Sequence, residues 1–122
     1  MMEADIYAAL EPLGHPTLWG GFDDFDAGEA FPRITIQRIS NATGYSLKGR
    51  ADVETARIQV NVYSDDADQV FALARQVSQT LTDYRGGSVI RCKEISRRDG
   101  TTPSGGDVIR LQMLDIQVRY RA

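Results

Sequence analysis

His15 and Cys92 are the only histidine and the only cysteine in the chain, and together they could in principle make a general base and a nucleophile. Their settings argue against it. His15 stands between Gly14 and Pro16, just after a predicted helix, where an exposed loop histidine is the simpler reading. Cys92 stands mid-strand beside Ile90, where a cysteine ordinarily serves as a small buried hydrophobe. One histidine and one cysteine also fall short of a zinc site, which takes four N/S ligands or three plus water. Asp23, Asp24, Asp26 and Glu29 could offer oxygen ligands to a hard cation. Their spacing lacks the sixth-position glycine and twelfth-position glutamate of an EF-hand loop, so a solvated acidic loop is expected. Asp65, Asp66 and Asp68 sit where a helix begins, and capping accounts for them. The glycine pairs at 86–87 and 105–106 follow a helix end and a strand end instead of leading a strand into a helix, so neither is a phosphate-cradling loop. No catalytic residue, metal or cofactor is therefore expected, and the chain is expected not to be an enzyme.

The remaining chemistry is charge. Arg91, Lys93, Arg97 and Arg98, with Arg110, Arg119 and Arg121, make the C-terminal part locally basic, and Arg91, Lys93 and Arg97 share parity on one predicted strand. A solvated face is the plain reading; subunit contacts and phosphate contacts are the functional ones. Aromatic residues are not interleaved there, so base stacking has no support. The formal net charge of -3 is too mild for a dedicated nucleic-acid binder. A lone cysteine excludes a disulfide-stapled fold. No apolar run approaches the ~20 residues of a membrane helix, and the start Met1-Met2-Glu3-Ala4-Asp5 lacks the marks of a signal peptide, so a cytoplasmic origin is expected.

The 122 residues suit one domain, and the hydrophobic fraction of 42% with 25% charged is ordinary globular usage. Ile6, Leu10 and Leu13 recur at helical spacing and predict a short helix over 3–13, ended by Gly14 and Pro16. Residues 17–31 read as irregular, with Trp19, Phe22, Phe25 and Phe31 among acids and glycines; some of those rings are expected to pin the segment to the core. Pro32 opens a strand over 33–40 in which Ile39 breaks the alternation, so a bulge or the strand's end lies near Arg38. Residues 41–50 read as a polar turn region. A second strand over 53–63 has the clearest period of two: Ala56, Ile58, Val60 and Val62 alternate with Arg57, Gln59, Asn61 and Tyr63. Ser64 or Asp65 caps a helix running to about Tyr84, with Val70, Leu73, Ala74, Val77 and Leu81 as its apolar stripe. A less regular strand over 88–98, a loop over 99–106 and a last strand over 107–121 follow. In the last strand the apolar phase slips at Met113-Leu114, which means a bulge or a strand that buries different faces along its length. The predicted fold is α+β in the order α-β-β-α-β-β, a single domain over 1–122. Its four-stranded, mainly antiparallel sheet packs against one main helix plus a short N-terminal helix.

Several segments in this order carry a likeness. They are Asp5-Ile6-Tyr7-Ala8-Ala9-Leu10, then Phe31-Pro32-Arg33-Ile34-Thr35-Ile36, then Tyr45-Ser46-Leu47-Lys48-Gly49. Ala56 through Ser64 runs straight into a helix, and Arg110 through Val118 closes the chain. Across nearly its whole length the chain resembles the tail-completion, or tail-terminator, proteins of long-tailed phages, prophages and gene transfer agents. The resemblance implies a structural virion protein without catalytic residues. It would form a homo-oligomeric ring, commonly a hexamer, that caps the finished tail tube. Its partners would be the major tail tube protein and the head–tail connector protein, with DNA passing through the lumen without sequence-specific contact. Assembly in the bacterial cytoplasm and residence in the virion tail or neck follow. The alternatives are a head–tail connector or adaptor subunit, or a small-molecule-binding α+β regulatory domain. Partner or subunit contacts are expected at Arg97, Arg98, Asp99, Thr101 and Thr102, around the glycine-rich loop, and at Tyr45 and Lys48.

Overall fold

Ala56, Ile58, Val60 and Val62 are fully buried, and the strand they belong to is the middle of the sheet. The computed structural model of the chain describes residues 1–21, 25, 31–47, 49–104 and 107–121, without the side chains of residues 44–46, 50, 51, 102–104, 107 and 108. The elements are α1 (Met2–Leu10), a 3-10 turn (Glu11–Leu13), β1 (Thr17–Trp19), β2 (Arg33–Ser46), β3 (Gly49–Ser64), α2 (Ala67–Leu81), β4 (Val89–Ser104) and β5 (Asp107–Arg121). The sheet order is β1-β2-β3-β5-β4, with β1 parallel to β2 and every other neighbour antiparallel.

Both helices cover the same face. Ile34 and Ile36 of β2, the alternating apolar residues of β3, and Leu114, Ile116 and Val118 of β5 form one core with Met2, Ile6 and Leu10 of α1. Leu73, Ala74, Val77 and Leu81 of α2 close it. Full burial of such side chains contributes roughly 1.5–3 kcal/mol each before entropy is charged against it.

The structure corrects the sequence reading in five places. The sheet has five strands, not four, and it is mixed. Thr17–Trp19 lies within the segment read as irregular, yet it pairs with Ile34–Ile36. Its anchor is Trp19, packed against the core with its indole N–H donating to the Glu3 carbonyl at 3.0 Å. Three residues are too few for a period to show. Second, the polar stretch 41–50 is strand on both sides of its tip, with Asn41 opposite Ala56 and Thr43 opposite Glu54. Third, Asp99–Ser104 continues β4, with Gly100 opposite Leu111, so only the tip of the expected loop, residues 105–106, lies outside the described residues. Fourth, the first helix stops at Leu10 and gives way to a 3-10 turn at Pro12, closed by Gly14 with φ +80. Fifth, α2 starts after Asp66, whose carboxylate accepts from the Asp68 N–H at 2.9 Å, and ends at Leu81. Its end is set by tertiary contact, because the Asp83 N–H turns away to the Cys92 carbonyl.

Two expectations on registry meet the structure directly. The bulge near Arg38 is present as a register shift between Arg38 and Ser40. The phase slip in β5 is not a bulge, since β5 keeps continuous pairing with β3. The strand changes face: Leu114, Ile116, Val118 and Tyr120 lie under the helices, whereas Leu111 and Met113 lie on the open face opposite Tyr63 and Asn61.

Gly87, in the turn between α2 and β4, lies close against α1. Its φ is +54, and a Cβ there would lie 2.5 Å from Asp5 Oδ1. The same carboxylate accepts from the Ser88 hydroxyl at 2.6 Å and the Ser88 N–H at 2.9 Å. The Ser88 hydroxyl first, and then its amide, hold the Asp5 carboxyl below its usual range. Gly87→Ala is expected to destabilise the protein by more than about 1 kcal/mol, because alanine resists positive φ and its methyl displaces the carboxylate. Urea unfolding of the variant beside the parent checks this; an unchanged midpoint would show that α1 can move away freely.

Candidate functional site

The residues that could have made a reactive centre are far apart. His15 precedes β1 at one margin of the sheet, and Cys92 lies on β4 at the other. Four strand spacings separate those margins, roughly 19 Å. Burial pushes the Cys92 thiol up to about 12, so the thiolate that nucleophilic chemistry needs is not formed near neutral pH. Among the described residues no group of three or more His, Cys, Asp or Glu side chains could hold a metal ion. Asp23, Asp24, Asp26 and Glu29 lie outside the described residues. Of the aromatic rings expected to pin that segment, Trp19 packs on the core, and Phe25 and Phe31 stack on the buried Arg33 guanidinium at 5.4 and 4.3 Å.

What the fold builds instead is a sheet face rich in cations. Away from the helices the sheet presents Arg57, Arg91, Lys93, Arg98, Arg119 and Arg121, placed there by strand register. Arg57 is paired with Asp115, and Arg91 with Asp83 at 2.8 Å. Lys93, Arg98, Arg119 and Arg121 have no acidic partner among the described residues. Arg91 stands directly opposite Arg119, an arrangement of like charges that costs stability in a sheet. The helix side carries Glu3, Glu11, Asp65, Asp66 and Asp68. A net charge of -3 therefore hides a basic sheet face, while the helix side mixes these acids with Arg38, Arg75 and Arg97.

The parity argument for the basic strand holds only in part. A register shift between Glu94 and Ser96 sends Arg97 to the helix side, opposite Leu114, where both Arg97 and the Ser78 hydroxyl donate to Glu94. Arg91 and Lys93 stay on the open face, and Arg98 joins them. Asp99 accepts from the Gln112 amide at 2.8 Å, and Thr101 is exposed. The backbone of Thr102 pairs with Ile109, and that of Tyr45 with Arg50; their side chains and the whole of Lys48 lie outside the described residues. The expected contact positions thus fall into two groups, one along β4 and one about the turn between β2 and β3.

Sequence reasoning missed one buried polar cluster altogether. The Tyr120 hydroxyl donates to Glu54 at 2.6 Å and lies 2.7 Å from the Asn41 carbonyl oxygen, while the Asn41 amide donates to the same carboxylate at 3.1 Å. It ties the β2–β3 hairpin to the end of β5. Burial first, and then the Glu54 carboxylate, push the Tyr120 phenol above its ordinary range. On the open face a second chain runs from Gln59 through Asn61 to Thr35 and Tyr63. Both are positioning networks without a reactive group aimed at a cavity. Among the described residues no helix is long and apolar enough to cross a membrane.

Comparison with known proteins agrees with this inventory. The family model described as "Tail completion protein gp17" matches residues 4–122. A solved chain from the "Virion of native gene transfer agent (GTA) particle" superposes with a TM-score of 0.69 at 13% identity, covering 96% of this chain and 92% of that one. At that identity the likeness carries the fold. No curated protein matches in sequence.

Two outcomes follow from the geometry. Cys92 is expected to resist iodoacetamide in the folded protein at pH 8 and to react fully in urea, read by intact mass. Tyr120→Phe is expected to cost about 1–3 kcal/mol, since the hydroxyl bonds a charged group. The raised phenol keeps its proton longer folded than unfolded, so parent stability should fall as pH rises past 10, and the variant should lose that slope.

Proposed function

We propose that this chain, which belongs to the tail completion protein gp17 family of phage tail structural proteins, closes the finished tail tube as a ring and presents the surface that joins the head-side connector. The observation that carries the finer part of this reading is the basic open face of the sheet. A subunit in such a ring needs a stiff body, one face for its passage and another for its surroundings, and no catalytic group. The open sheet face, on which four cations have no acidic partner among the described residues, suits the side past which DNA moves. Its contacts there would be with phosphate and without sequence preference. The helix side would then face outward. A ring of like subunits follows from heterologous contacts that close by rotation. On this reading the chain works by position and charge, with the major tail tube protein below it and the connector above it.

The test is assembly of particles without this chain. Tails are expected to be of irregular length and to remain unjoined to heads in electron micrographs, and adding the purified protein back should restore both. Tails of uniform length that join heads in its absence would remove the proposed role. Native mass spectrometry of the purified protein supplies the ring size.

A further inference from the structure

The cations of the open sheet face are not spread evenly over it. Arg91 and Lys93 of β4 and Arg119 and Arg121 of β5 gather at one end, where β4 begins and β5 finishes. Toward the other end the same face carries Asn61, Tyr63, Leu111 and Met113. Arg98 stands there opposite Met113, and Arg33 is buried against Phe25 and Phe31.

Within the cluster Arg91 lies directly opposite Arg119, and Lys93 is the diagonal neighbour of Arg119. Diagonal neighbours are about 7–8 Å apart, within reach of long side chains. All three residues are exposed, and the core packs on the other side of the sheet. Like charges so placed raise the energy of the folded state. Asp83 relieves Arg91, but Lys93 and Arg119 have no acidic partner among the described residues. The packing of the domain does not account for this repulsion, and a bound anion would remove it.

The cluster borders an open hollow of about 620 Å³. Thr55 and Gln117 line it beside Arg91, Lys93 and Arg119. On its far side lie Asp83 and Glu94. Both acids are already engaged, Asp83 with Arg91, and Glu94 with Arg97 and the Ser78 hydroxyl. What remains toward the open face is a set of donors from three adjacent strands. Guanidinium and ammonium groups donate only, and the threonine hydroxyl and glutamine amide can donate beside them. Arginine grips a phosphate through two parallel N–H groups, and lysine adds a point charge. The donors form two successive rows, Thr55–Arg119–Arg91 and Gln117–Lys93, so they suit a chain of repeated phosphates better than one isolated ion.

We infer that Arg91, Lys93 and Arg119 form a phosphate-binding site that holds the backbone of passing DNA at this one end of the open face, with Thr55 and Gln117 as neutral donors. The inference rests on the reading of that face given above and names where on it the contact is made. A phosphate between Arg91 and Arg119 turns their repulsion into charge-assisted hydrogen bonds. Because the contact is to backbone alone, it carries no sequence preference.

The experiment uses the full chain and three variants: Arg119→Gln, Lys93→Gln with Arg119→Gln, and Arg98→Gln as a control that removes the same charge from the other end of the face. In sodium chloride, Arg119→Gln is expected to keep or raise the parental melting temperature, since it removes a like-charged neighbour. Inorganic phosphate should raise the melting temperature of the parent and of Arg98→Gln above that in chloride of equal ionic strength, and should lose this extra effect in the other two variants. Binding of a short random-sequence DNA duplex, read by fluorescence anisotropy over a range of salt, should weaken in the double variant. Its slope of log K against log salt should be shallower by about two, and that of Arg98→Gln nearly parental. An equal phosphate effect in all four proteins, or none in the parent, would overturn the site. Duplex binding no stronger than that of polyglutamate of the same charge would overturn the assignment to phosphate. Failure of this site and failure of the ring reading are separable. Tails that need the chain, with duplex binding indifferent to the cluster, would overturn the site and leave the ring. Duplex binding that depends on the cluster, with tails that form and join heads without the chain, would support the site and remove the ring role.

Discussion

Twelve consecutive residue pairs, from Val53 with Arg121 to Ser64 with Arg110, hold β3 against β5 without a register shift, and the other features of the domain depend on that seam. Side chains alternate along a strand with a period of two, so a slip of one residue would turn Ile58, Val60 and Val62 outward and drive Arg57, Gln59 and Asn61 under the helices. Burying those polar groups without partners would cost several kcal/mol, on the order of the whole stability of a domain. The register is thereby locked, and with it the face to which each charged residue on the inner strands is sent.

The locked seam also makes a two-faced molecule from a chain of mild net charge. Apolar residues of β2, β3 and β5 meet α1 and α2 on one side, and alternation places Arg57, Arg119 and Arg121 on the other. The like-charged pair of Arg91 and Arg119 is tolerated because Asp83 neutralises the first. Bulges are confined to the pairings of β2 and β4, so irregularity is kept to the margins while the middle stays regular. The buried Glu54 carboxylate is satisfied within the domain, between Tyr120 and Asn41. A scaffold of this kind suits assembly work, where a fixed shape must present charge and apolar knobs at set distances.

The offset between the two hairpins is the second consequence of the seam. β2 pairs with β3 farther than β5 does, and β4 pairs with β5 farther than β3 does. Each overhang therefore leaves the body of the sheet at an opposite end, one bearing Leu47 and the other walling a cleft with α2. Neither overhang is covered by a helix along its whole length, because α2 spans 15 residues, roughly 22 Å, against about 50 Å for a strand of similar count.

Much of the core was legible in the residues alone, because local periodicity records which side chains share a face. The alternation of Ala56 through Val62 defined the central strand, the stripe from Val70 to Leu81 defined α2, and Ile39 flagged a true bulge. The order of segments also carried the family resemblance. Period fails where an element is too short, as in Thr17–Trp19, or where its partner strand and not its own composition makes it extend, as in Asn41–Ser46. It fails again at a bulge: counting residues put Arg97 beside Arg91 and Lys93, and one extra residue near Ile95 moved it to the other face. The contact of Tyr120 with Glu54 and Asn41, and the placing of Leu47 and the α2 cleft at opposite ends, join segments distant along the chain. Only the pairing of whole strands decides such placements, since that pairing converts position along the chain into position in space.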